Sequence, residues 1–134
     1  MEKLSCILLV DDDKITNFIT SRLIKKLDVA KNVTTCTNGE EALLYMTKHA
    51  GPMDSKCPQL IILDNNMPEM TGIEFMESFN HINFNKEQVK VVALTNSANP
   101  ADEYKLKSLG IEDYITKPLT EEKLLEALQH QHLI

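Results

Sequence analysis

The chain has 134 residues, 43% hydrophobic and 25% charged, enough for one domain with a core that needs no staples. Its 14 basic and 20 acidic residues leave a net charge of −6, and no basic cluster points to nucleic-acid phosphates. No apolar stretch approaches the ~20 residues of a membrane span, no signal peptide is visible, and three irregularly spaced cysteines (Cys6, Cys36, Cys57) form no disulfide framework, so buried thiols in a reducing cytoplasm are the expectation.

The first apolar run is Cys6–Val10 (CILLV), followed by Asp11, Asp12 and Asp13. Ile15, Phe18, Ile19, Leu23 and Leu27 then recur at three or four, which predicts a helix over Ile15–Leu27. A short run, Val33–Cys36, reads as a strand. Asn38-Gly39 precedes a second helix marked by Ala42, Leu43 and Met46. Ala50–Gln59 is the one long irregular loop. The run Leu60–Leu63 (LIIL) ends at Asp64. Gly72 opens a third helix carrying Phe75, Met76 and Phe79. The run Val89–Leu94 ends at Thr95. Asn99-Pro100 opens a fourth helix, with proline suited to the first turn, and Gly110 closes it. Tyr114–Thr116 is a short fifth strand ending at Lys117. Thr120 and the acids after it begin a fifth helix, which carries Leu124, Leu125 and Leu128.

Five strands alternating with five helices predict an α/β fold with a parallel sheet. The runs CILLV, LIIL and VVAL are apolar throughout, as in central strands covered on both faces. Val33–Cys36 and Tyr114–Thr116 are weaker and read as edges.

Four of the five strands end on polar residues: Asp11 to Asp13, Asp64, Thr95, Lys117. In an open parallel sheet the carboxyl ends line the ligand-binding edge. Two like charges ~4 Å apart cost about 4 kcal/mol at an effective dielectric of 20, so the acids call for a cation. Asp11, Asp12 and Asp64 contribute −3 if ionised; Mg²⁺ and Lys117 return +3. Oxygen-only ligation suits Mg²⁺, and neither histidine nor cysteine falls on this edge, which argues against zinc. A carboxylate there can attack phosphorus and form an acyl phosphate. Lys117 and the metal would neutralise the transferring group, and Thr95 could donate to a phosphoryl oxygen. The plainer alternatives are that Asp11 to Asp13 cap the first helix, with Asp13 best placed to do so, that Asp64 is a turn residue before Pro68, and that Tyr114 is an ordinary edge-strand aromatic.

The pieces LLVDDD, LIILDNNMPEMTGIEF, VVALTN and YITKP, in this order, resemble the motifs of response-regulator receiver domains of two-component signalling. The resemblance runs from Ile7 to about Leu128. It implies a flavodoxin-like, doubly wound fold with a five-stranded parallel sheet in order 2-1-3-4-5 and five helices. It implies that Asp64 is phosphorylated by a histidine kinase or histidine phosphotransfer protein. Mg²⁺ would be held by Asp11, Asp12, Asp64 and the backbone carbonyl of Asn66. Lys117 would contact the phosphoryl group, with a cis Lys117–Pro118 peptide. Thr95 and Tyr114 correspond to the switch pair, and Asn66 and Ser97 to positions that tune phosphate lifetime. The chain departs from the pattern in its long Ala50–Gln59 loop, in Thr71 before Gly72, and in Asn96 where a small residue is usual. A larger side chain at Asn96 would restrict access to Asp64.

The expectation is therefore a single receiver domain over residues 1–134 without an output domain. It would act as a binding switch that catalyses only its own phosphorylation and dephosphorylation. Readout would use the face of the fourth helix, fifth strand and fifth helix, including Tyr104, Lys105 and Tyr114. A monomer, or a weak dimer through that face, is expected, with no direct nucleic-acid partner and no membrane insertion. Two competing readings share these residues. One is a phosphorylation-independent interaction module on the same fold. The other is a haloacid-dehalogenase-type phosphatase, which usually carries a second aspartate where this chain has Asn66.

Overall fold

A computed structural model describes residues 3–51, 54–96 and 99–134. In chain order it contains β1 (Leu4–Val10), α1 (Lys14–Leu27), β2 (Ala30–Cys36), α2 (Gly39–His49), β3 (Leu60–Asp64), α3 (Gly72–Phe79), β4 (Lys90–Thr95), α4 (Pro100–Ser108), β5 (Asp113–Thr116) and α5 (Glu121–His130). A 3₁₀ turn, Lys86–Gln88, precedes β4. The strands form one sheet in the order β2-β1-β3-β4-β5, and every pairing is parallel.

The all-apolar strands sort their side chains by the period of two. Leu8, Val10, Ile61, Leu63, Val91 and Ala93 face α2, α3 and α4, where they meet Met46, Phe75, Met76 and Leu106. Ile7, Leu9, Leu60, Ile62, Val92 and Leu94 face the other way, onto Ile24 of α1 and Leu124 and Leu128 of α5. Both faces are thus covered, which is why these strands show no polar alternation.

Three strands begin earlier than the apolar runs suggest, β5 by one residue at Asp113. β1 starts at Leu4 and β2 at Ala30, because backbone pairing extends to Leu4 opposite Ala30. Lys31 and Asn32 belong to the ladder although their side chains are exposed. An edge strand needs pairing on one side only, and its polar residues are tolerated there.

Local signals fix the helix ends. Asp13 caps α1 by accepting from the Ile15 and Thr16 amides, the capping role open to one of the three acids. Thr71 and Glu74 form a reciprocal capping box at α3. Asn99 and Thr120 cap α4 and α5. At the end of α4, Gly110 takes φ +107; its amide donates to Lys107 and that of Ile111 to Leu106. That pattern satisfies carbonyls left over at the helix end and favours glycine.

Helix α1 is unusual. Its buried residues are Asn17, Thr20 and Ile24, while Ile15, Phe18 and Ile19 are 70%, 61% and 62% exposed. The apolar spacing that announces the helix therefore does not mark its inner face. The loop from α2 to β3 sits at the opposite end of the sheet from the strand carboxyl ends. It is pinned by the His49 ring to Asp54, 2.8 Å, and by the Tyr45 hydroxyl donating to the Lys56 carbonyl.

Candidate functional site

The carboxyl ends of β1, β3, β4 and β5 bring the site together. Asp64 and Thr95 are the last residues of their strands, and Asp11 and Lys117 directly follow theirs. Asp11, Asp64 and Thr95 are buried and Asp12 is exposed. Carboxylate oxygens of Asp11, Asp12 and Asp64 all lie within 4.8 Å of one another. Lys117 Nζ stands 3.1 Å from Asp64 Oδ1 and 3.5 Å from Asp11 Oδ2. The four residues chosen on sequence grounds form one cluster.

Backbone contacts hold the acids in place. Asp11 Oδ1 accepts from the Asp13 amide at 2.9 Å, and Asp64 Oδ1 from the Asn66 amide at 3.0 Å. The Lys117 amide donates to the Thr95 carbonyl at 2.7 Å, and the Lys117–Pro118 peptide is cis. Asn65 is buried, and its amide donates to Leu94 at 2.8 Å. A Cβ on Gly72 would lie 2.4 Å from Asn65 Oδ1 and 3.3 Å from Asn65 Cα, so any larger residue there would have to displace the buried Asn65 side chain.

Electrostatics reflect the crowding. Burial raises the Asp11 carboxyl above its usual value, and the charge on Asp64 adds to this, against Asp13 amide and Lys117 contributions that lower it. For Lys117 burial works the other way. The Asp11 and Asp64 charges outweigh it, and the ammonium is raised above the usual lysine value. Two to three carboxylates facing one ammonium remain short of positive charge. Their donor set is hard oxygen only, with no histidine or cysteine among the clustered residues, which fits Mg²⁺ or a similar cation.

The remaining candidates lie around this cluster. Asn66 Oδ1 accepts from the Thr95 hydroxyl at 3.2 Å and from the Asn96 amide at 3.0 Å. The Asn96 side chain is exposed. Ser97 lies outside the described residues. Tyr114 pairs with Ala93 across β4 and β5, below the acid cluster. Its ring packs against the α4 side of the core, and its hydroxyl is buried without a hydrogen-bond partner. Tyr104 is 79% exposed on α4.

Among the buried polar residues that escaped the sequence reading, Asn17, Thr20, Asn65 and Gln131, two lie against the site. Asn65 carries a signal in hindsight, since it directly follows the strand-end acid. Asn17 does not. It is hidden between Ile15, Phe18 and Ile19, whose apolar spacing draws attention to the wrong face.

Among the described residues no helix is long and apolar enough to cross a membrane. The sequence profile of the response regulator receiver domain matches residues 7–129. The chain is 31% identical over 122 residues to two-component response regulator 24 of Arabidopsis thaliana, covering 90% of this chain and 79% of that protein. It is 34% identical over 134 residues to a probable cyclic di-GMP phosphodiesterase of Vibrio cholerae, but spans only 28% of that protein's length. A two-component response regulator from Cytophaga hutchinsonii superposes with a TM-score of 0.86 at 25% identity, covering 99% of this chain and all of that one. With this fold, these motifs and these relatives, the chain belongs to the response regulator receiver domain family.

Proposed function

We propose that Asp64 accepts a phosphoryl group from a phosphohistidine on a partner protein, a histidine kinase or histidine phosphotransfer protein, in a Mg²⁺-dependent reaction. The observation that carries this is the Lys117 ammonium 3.1 Å from a buried Asp64, with Asp11 and Asp12 carboxylates in the same cluster. An Asp64 oxygen attacks phosphorus, the P–N bond breaks, and its electron pair stays on the imidazole nitrogen. Lys117 holds positive charge beside the reacting oxygen. Asp11, Asp12, Asp64 and the Asn66 carbonyl would hold Mg²⁺, which supplies charge neutralisation for the phosphoryl oxygens. The Thr95 hydroxyl, now given to Asn66, is the group that would turn to the phosphoryl oxygen. Phosphorylation would then bias the α4, β5 and α5 face, through Tyr114, toward a downstream target. The protein is a switch acting on itself rather than an enzyme with a separate substrate.

A protein donor suits the surface beside the site. Ile15, Phe18 and Ile19 are exposed on the first turns of α1, immediately after the acids. Large apolar side chains grouped on a surface mark protein contacts.

The test is intact-mass spectrometry with acetyl phosphate and Mg²⁺. The wild type gains about 80 Da, the mass of one phosphoryl group, and Asp64→Asn gains nothing. An equal adduct on Asp64→Asn would overturn the assignment. Turnover of free phosphate esters would favour the phosphatase reading instead.

A further inference from the structure

We infer that Asn17 is a positioning residue for the acid cluster: its side-chain amide sets the peptide plane between Asp11 and Asp12, and so the affinity for the divalent cation. The inference rests on the Mg²⁺-dependent reading of that cluster.

Asn17 is 5% exposed on the inner face of α1. Its Nδ2 donates to the Asp11 carbonyl at 2.9 Å and to the Cys36 carbonyl at 3.3 Å. The Cys36 carbonyl also accepts from the Asp11 amide at 3.1 Å, the last link between the first two strands. One amide thus ties α1 to the ends of both.

The Asp11 carbonyl is the telling partner. β1 ends at Val10, so this group lies beyond the strand. It belongs to the peptide joining Asp11 to Asp12, the two acids that must point their carboxylates at one spot. The peptide is planar, so holding its oxygen also holds the Asp12 N–H and restrains the direction in which the Asp12 side chain leaves the chain. Asp12 is exposed, and among the described residues its carboxylate makes no hydrogen bond. Its aim therefore depends on the backbone, which Asn17 holds at the Asp11 carbonyl and the Asp11 carboxylate holds at the Asp13 amide. A neutral Asn donor suits the place: a second acid would face two carbonyls and add charge beside Asp11 and Asp64. Groups that orient metal ligands in this way typically change metal affinity by about 10–100-fold when removed.

The experiment measures Mg²⁺ affinity by calorimetric titration on the wild type, Asn17→Leu and Ile24→Ala. Leucine matches asparagine in shape without the donor. Ile24 is on the same buried helix face but touches only the apolar core, so its truncation reports general loosening of α1. Asn17→Leu is expected to weaken Mg²⁺ binding by about tenfold or more. The Mg²⁺ concentration for half-maximal acetyl-phosphate labelling should rise in parallel, and the rate at saturating Mg²⁺ should stay near that of the wild type. Ile24→Ala should lower the melting temperature and leave Mg²⁺ affinity unchanged. Wild-type affinity in Asn17→Leu, or equal weakening in Ile24→Ala, overturns the inference and leaves the Asp64 reading standing. A wild type that binds no Mg²⁺ overturns both. Should Asn17→Leu fail to fold, Asn17→Ala is titrated in its place, and wild-type affinity there again overturns the inference.

Discussion

The Thr95 hydroxyl donates to the side-chain oxygen of Asn66 at 3.2 Å, joining the ends of β4 and the loop after β3 side chain to side chain. If Thr95 is to reach a phosphoryl group on Asp64, this bond must break. A neutral hydrogen bond contributes about 1 kcal/mol net, so its loss shifts a two-state balance by about fivefold. Asn66→Ala keeps the main-chain carbonyl that would meet the metal. The expected outcome is that Thr95 amide and methyl NMR signals move, without phosphodonor, in the direction phosphorylation moves them in the wild type. Signals that stay in place would show that the bond restrains nothing.

Asp11 gives the metal-free protein a pH dependence with a definite sign. Its folded-state pKa lies above the ordinary 3.8, through burial first and then through Asp64. Between 3.8 and that raised value the folded protein holds more protons than the unfolded chain, so stability falls as pH rises through the window. Asp11→Asn removes the buried charge. In EDTA at pH 7 it should melt a few degrees higher than the wild type, and Mg²⁺ should no longer raise its melting temperature. Calorimetric melts with and without Mg²⁺ check both halves. A lower melting temperature for the variant in EDTA would contradict the account.

The exposed face of α1 separates donor docking from chemistry. Phe18 is 61% exposed and in contact with Arg22 across its ring. Phe18→Glu should change stability by no more than about 0.5 kcal/mol, as surface substitutions usually do. Labelling by acetyl phosphate should be unaffected. Phosphotransfer from a phosphorylated histidine protein should slow several-fold, read by quenched-flow transfer of labelled phosphate. Equal slowing with both donors would place Phe18 in the chemistry instead.

The sheet was legible from residues because its signals are local. CILLV, LIIL and VVAL are too apolar to lie anywhere but under two helical layers, and each ends on a polar residue that cannot follow it inside. Asp64 and Lys117 are far apart in sequence and meet because parallel strands bring all carboxyl ends to one edge. Helix α1 was legible as a helix but not in orientation. Its inner face carries Asn17 and Thr20, and Asn17 finds its partners in backbone carbonyls at the strand ends. Apolar spacing reports only burial driven by hydrophobicity. The bond between Asn66 and Thr95 was invisible for a similar reason, since it depends on a side-chain rotamer at the end of a loop.

The segment between α2 and β3 enters the sheet at the pole away from Asp64. Each doubling of a flexible loop costs only about 0.6 kcal/mol, and no strand end that carries the acids is anchored there. A longer turn at that pole leaves untouched the contacts that hold the acid-bearing edge. A peptide epitope or a fluorescent reporter spliced into the same turn would give a labelled switch whose phosphorylation kinetics match those of the unlabelled protein.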